Sequence, residues 1–217
     1  MSNTPSDAPN ALLLISPGCP YCKQVLNHLG ELVKNAEIGR LEIINISIHP
    51  EAAQAVGARS APWIRIGPFE LTGNYSLGEL RKWASKAARP DTGADYVEEL
   101  LREQKLDQAI AYVKAHPRIL EPLLDLSQAE NTDFSVRLGI SALLESLQGT
   151  ELLRDIIPRL GTMTTSDNPA VRADAAHYLG LTQSPDAIPW IKALLTDDQR
   201  DTREIAAESL QRLTGET

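Results

Sequence analysis

Cysteine is almost absent from this chain: there are two in 217 residues. A structural zinc site commonly takes four ligands, and the four histidines, His28, His49, His116 and His177, show no paired-ligand spacing. A metal centre is therefore not expected. No long apolar run occurs, which excludes a membrane-spanning helix. Residues 1–10 are polar and lack basic residues ahead of the short apolar run 11–15. No secretory signal is expected from such a start, so residues 1–10 read as a disordered N-terminus and the chain as cytoplasmic. An excess of positive charge is missing too. Residues 1–90 hold nine Lys and Arg against seven Asp and Glu, a balance of +2, and the remainder holds twelve against twenty-two, a balance of −10. The acidic second half argues against nucleic acid as a partner.

The two cysteines stand together as Cys19-Pro20-Tyr21-Cys22, between an apolar strand-like run and a helix-like run continuing through Val25, Leu26 and Leu29. Two thiols at this spacing, at the start of a helix that follows a strand, form a reversible dithiol/disulfide couple. A helix N-terminus carries unpaired N–H groups and partial positive charge, which favours the thiolate, the reactive form. Pro20 suits the first helical turn, where a missing N–H costs nothing. Cys19 is assigned as the attacking thiol and Cys22 as the resolving thiol. In the cytoplasm the pair would be mostly reduced.

Length and patterning predict two domains. The first, residues 11–89, reads as α/β, with strands at 11–16, 41–48, 64–66 and Phe69–Thr72 and helices at 21–34 and 51–56. Ser76 caps a last helix through Leu77, Leu80, Trp83 and Ala84. A turn-rich linker follows at 90–95, and residues 96–217 read as helix throughout. Residues 94–103 and Leu106–Ala115 make a hairpin. Three units then repeat at intervals of 31 to 36 residues, marked by Pro122, Pro158 and Pro189 in their first helices. Arg137, Arg172 and Arg203 recur early in the second helices. Asp133 and Asn168 precede their helices as caps, with Asp198 or Asp201 in the third unit. Such pairs cannot bury their apolar faces alone and stack into a solenoid with an extended binding surface.

The stretch Ser16-Pro17-Gly18-Cys19-Pro20-Tyr21-Cys22 resembles the active-site stretch of glutaredoxins in the thioredoxin superfamily. Arg59-Ser60-Ala61-Pro62 before a strand and Gly73 before the final helix follow the same order. The resemblance covers about residues 10–88. It implies a thioredoxin-like fold with a mixed four-stranded sheet and flanking helices. It also implies a cis Pro62 facing the dithiol, with the backbone at Ala61 pairing with a substrate strand. The substrate-contacting residues it implies are Pro20, Tyr21, Ala61, Pro62, Trp63, Gly73 and Tyr75. Trp63 reads either as a flat apolar contact near the dithiol or as a core side chain, and Tyr75 carries the same ambiguity.

The chain departs from the glutaredoxin pattern in two places. Ile15-Ser16 stands where a basic residue usually holds glutathione, and Thr72-Gly73-Asn74-Tyr75-Ser76 replaces a double glycine followed by an acid. A glutathione carboxylate loses part of its grip, with Arg59 or Arg65 as substitutes. The repeats, over about residues 116–214, resemble short HEAT repeats, especially in their Val-Arg-x-x-Ala-Ala pattern. Their recurring arginines read as a structural ladder with acids of neighbouring repeats, and Asp186, Asp197, Asp198 and Asp201 colour the surface. His177 reads as packed or solvated rather than catalytic.

These readings converge on a thiol–disulfide oxidoreductase acting on a protein substrate, whose repeat domain binds the partner. No cofactor is expected beyond the Cys19–Cys22 couple, with glutathione or a reductase as reductant. The alternatives are a glutathione-dependent, glutaredoxin-like reductase and an interaction adaptor whose dithiol senses redox state.

Overall fold

A computed structural model describes residues 8–89, 92–129 and 131–215. The chain divides into two compact units, 1–92 and 93–217. The expected linker at 90–95 falls partly on residues 90 and 91, and the expected disordered N-terminus largely on residues 1–7; these lie outside the described residues. Two boundaries are corrected. Asn10 already belongs to the first strand, paired with Arg40, and Gly93 to Asp95 already belong to a helix, with Asp95 placed to complement its N-terminal dipole.

The N-terminal unit runs β1 (Asn10–Ile15), α1 (Cys22–Lys34), β2 (Arg40–Asn45), α2 (Pro50–Ala55), β3 (Trp63–Ile66), β4 (Phe69–Thr72) and α3 (Leu77–Ala87). The four strands form one mixed sheet in the order β2-β1-β3-β4. β1 pairs parallel with β2 and antiparallel with β3, and β3 pairs antiparallel with β4. β1 is the apolar run read from the sequence, and as a central strand it buries Leu13 and Leu14 completely. α1 turns Val25, Leu29 and Leu32 inward, a helical 3–4 spacing. α3 buries Leu80, Trp83 and Ala84, and Trp83 meets Phe69 edge to face with ring centroids 5.2 Å apart.

Ser76 does cap α3, and more fully than expected. Its hydroxyl accepts from the Glu79 N–H at 3.3 Å, while its own N–H donates to the Glu79 carboxylate at 2.7 Å. This is a capping box, the pattern that Ser-x-x-Glu encodes.

The C-terminal unit is entirely helical among the described residues. It runs α4 (Gly93–Arg102), α5 (Leu106–Ala115), a 3₁₀ turn (Pro117–Ile119), α6 (Leu120–Gln128), α7 (Phe134–Ser146), α8 (Glu151–Asp155), α9 (Ile157–Met163), α10 (Pro169–Leu181), a second 3₁₀ turn (Pro185–Ala187), α11 (Ile188–Leu194) and α12 (Arg200–Thr214). α4 and α5 pair as expected, with Tyr96 and Tyr112 in edge contact. The three prolines fall early in α6, α9 and α11, and α7, α10 and α12 are the second helices. Leu123, Ile140, Leu160, Leu179 and Ile191 are fully buried in this unit. Close approach needs small residues. A Cβ at Gly180 of α10 would come within 2.8 Å of Ser209 on α12, so glycine sets that spacing.

The caps divide. The Asn168 side chain accepts from the Ala170 N–H at 3.0 Å, as expected. Asp133 holds the N-cap position of α7 but makes no capping bond, and Arg102 reaches its carboxylate instead. In the third repeat Gln199 holds the N-cap position, not Asp198 or Asp201. The Gln199 N–H is satisfied by the Asp197 carboxylate at 2.9 Å.

The arginines follow a pattern finer than the expected acid ladder. Arg172 grips Asp197 of the next repeat with two parallel bonds, 2.6 and 2.8 Å long. Each of the three also donates to carbonyls of the loop before its own helix. Arg137 donates to Ala129, Arg172 to Ser166 and Asp167, and Arg203 to Asp197 and Asp198. These arginines close repeats rather than offering charge to a ligand.

Candidate functional site at the cysteine pair

Strand register decides which loops share one end of the sheet. Ile15 pairs with Asn45, Leu14 with Trp63, and Trp63 with Thr72. The segments following β1, β2 and β4, and the one preceding β3, therefore emerge at the same end. That end carries Cys19, Pro20, Tyr21 and Cys22, then Ile48, then Ala61 and Pro62, then Gly73 and Tyr75. Most of the residues named from the sequence are thus brought to one place by backbone pairing alone.

Cys19 and Cys22 form a disulfide, with Cα atoms 5.5 Å apart. Cys22 is the first residue of α1 and is buried, at 6 % exposure. Cys19 is half-buried in a turn closed by its N–H donating to the Ser16 carbonyl at 3.2 Å. This corrects the expectation that the helix starts at Tyr21 with Pro20 suited to its first turn. Tyr21 is the cap, because its carbonyl accepts the Val25 N–H at 3.1 Å, the first helical bond. Pro20 lies one residue outside, where it removes no helical donor. The sulfurs nonetheless meet at the N-terminus of α1. The first turn of that helix holds Lys23 and no acid, so no carboxylate there offsets the positive end of the helix dipole.

Pro62 is buried, and its bond to Ala61 is cis. Its carbonyl accepts the Gly73 N–H at 3.0 Å, which ties two of the expected site residues directly. Gly73 has φ +114, a conformation open to glycine and strained for other residues. Ala61 is half-buried, and neither its N–H nor its C=O has a backbone hydrogen-bond partner among the described residues.

Tyr75 is half-buried, and its carbonyl lies 3.1 Å from His28 Nδ1. A carbonyl can only accept, so Nδ1 carries the hydrogen. His28 stands on α1, and the bond pins the 73–76 loop to the helix that bears Cys22. No sequence motif marked this role, since a lone histidine at a helical position has no distinguishing spacing.

Trp63 is corrected from candidate contact to core. It is 4 % exposed, opposite Leu14 on the central strand, so its ring is not offered at the surface. Among the described residues, Tyr21 and Ile48 are large apolar side chains exposed at this end, Ile48 being 70 % exposed in the turn after β2. The sequence pattern extends a strand through Ile48. The strand stops at Asn45, whose carbonyl accepts the N–H groups of Ile48 and His49 and turns the chain.

Among the described residues no group of His, Cys, Asp and Glu could hold a metal ion, and no helix is long and apolar enough to cross a membrane. A family model of HEAT repeats matches residues 120–211, from the start of α6 into the last turn of α12. HEAT repeats generally serve protein interaction. No curated protein sequence matches the chain.

Proposed function

We propose that the N-terminal unit is a thioredoxin-like domain and that the protein is a thiol–disulfide oxidoreductase acting on a protein substrate. The observation that carries this reading is the asymmetry of the pair: a half-exposed Cys19 joined to a buried Cys22 at the opening of α1. In the reduced protein, the Cys19 thiolate attacks one sulfur of a substrate disulfide. A mixed disulfide forms, and the other substrate sulfur leaves as a thiolate that takes a proton from water. The Cys22 thiolate then attacks Cys19 Sγ and breaks the mixed disulfide, and the second substrate thiol departs. Two electrons have passed to the substrate, and the protein holds the Cys19–Cys22 disulfide.

Ala61 supports a backbone role, because among the described residues its N–H and C=O have no backbone partner, and an extended substrate segment can pair with them beside Pro62. A reducing compartment such as the cytoplasm, with a dithiol reductase or glutathione as donor, restores the thiols. The repeat unit holds the partner protein. Because both units belong to one chain, a captured partner meets the dithiol at an effective concentration on the order of mM.

The test is a trap. In the full-length Cys22→Ser protein the mixed disulfide on Cys19 cannot be resolved. Incubated with a disulfide-bonded test protein such as insulin, it accumulates a covalent adduct that dithiothreitol releases, while the unsubstituted chain turns the substrate over. Absence of both adduct and turnover overturns the proposal.

A further inference from the structure

Helix α7 leaves two large apolar side chains in water, one turn apart on one face. Phe134 is 81 % exposed and Leu138 is 61 % exposed. The core side of the same helix is served by Val136, Ile140, Leu143 and Leu144. Neither exposed residue is needed there. The outward face continues through Ser141 to Glu145, a spacing that keeps all four residues in one row. Beside this row, α10 contributes Asp174 and His177, and His177 Nε2 lies 3.4 Å from the Glu145 carboxylate.

A cleft of about 160 Å³ opens here, with Ser141 and Arg137 on one wall and Asp174, Tyr178 and Asn168 on the other. Arg137 is tied to the Ala129 carbonyl at 2.7 Å. Desolvation pushes the Asp174 carboxyl above its ordinary value despite His177 and Arg137 nearby. Burial, with Asp174 close by, pushes the Tyr178 hydroxyl up to about 12, so it remains a neutral wall. The C-terminal unit as a whole is acidic. An apolar pair followed by the Asp174 carboxylate in the cleft, on an acidic unit, is complementary to a segment with an apolar face and a cation about one turn further on.

We propose that the outward face of α7 and the cleft between α7 and α10 dock a cationic amphipathic segment of a partner protein, its apolar side chains on Phe134 and Leu138 and a Lys or Arg in the cleft at Asp174. This rests on the reading that the repeat unit holds a protein partner, and it specifies the chemistry of that partner. No cysteine lies on α7 or α10, and docking is expected to be unchanged by the state of Cys19.

The experiment uses the full chain and fluorescent synthetic peptides sharing one Leu/Phe face, with polar faces of lysine, glutamate or serine. The lysine peptide is expected to bind at least about tenfold more tightly than the glutamate peptide, and less tightly as salt rises. Leu138→Asp and Phe134→Ser, both outside the core, are each expected to weaken it about tenfold, and Asp174→Asn several-fold, with the fold verified by circular dichroism. Glu204→Gln on α12 and Cys19→Ser are expected to leave it unchanged. Equal binding of the lysine and glutamate peptides, or retained binding by Leu138→Asp and Phe134→Ser, overturns the proposal. So does self-association of the unsubstituted chain that Leu138→Asp abolishes, since the occupant is then a second copy. Loss of peptide binding with disulfide exchange intact removes only this inference; loss of exchange with binding intact removes only the redox reading.

Discussion

The two units place function differently. The N-terminal unit concentrates its candidate chemistry at one end of a sheet, where four loops far apart in sequence meet because strand pairing brings them there. The C-terminal unit spreads its features along a row of similar helix pairs, each supported by the next. In the first, a single atom carries the proposed reaction. In the second, no single residue does, and surface character arises from what each repeat leaves uncovered.

The contrast is broken most severely at Cys19. Cys19→Ser is expected to reduce disulfide exchange to background while the repeat unit melts as before, read by a turbidity assay of substrate reduction alongside thermal unfolding. Next in size is a matched pair of core truncations. Leu29→Ala beneath α1 and Leu179→Ala within α10, both fully buried in the native chain, are each expected to cost about 2–5 kcal/mol in denaturant unfolding. Only Leu29→Ala should slow exchange, because it loosens the helix that bears Cys22. Equal slowing by both would mean that the units do not act separately.

A smaller effect tests the repeat clasp. Arg172 holds the Asp197 carboxyl far below its ordinary value, with the Gln199 N–H assisting. A depressed carboxyl stabilises the fold fully above the unfolded value of about 3.9 and loses that contribution as pH falls through the folded value. Asp197→Asn is therefore expected to lower the melting temperature by a constant amount between about pH 5 and 8, with the gap narrowing below about pH 4. A gap that widens in acid would contradict the clasp. The smallest effect is at the α3 cap, where Ser76→Ala is expected to cost about 1 kcal/mol. It should leave peptide binding by the repeats unchanged.

Much of this was legible in the residues. The Cys-x-x-Cys spacing, the Ser-x-x-Glu cap and the proline-marked repeat are local patterns, and local geometry follows from local spacing. The departures came where two segments compete for one group. Asp133 has a capping residue's chemistry, but Arg102 of α4 claims its carboxylate. Asp197 read as surface colour, yet it is the clasp between two repeats.

The sequence by itself determined where thiol chemistry can occur and that the second half is built from repeated helix pairs, because both depend on residues a few positions apart. Only the tertiary structure decided that Trp63 is core while Ile48, Phe134 and Leu138 face water. Apolar residues look alike in one dimension, and which of them lose contact with solvent is settled by the elements that pack over them.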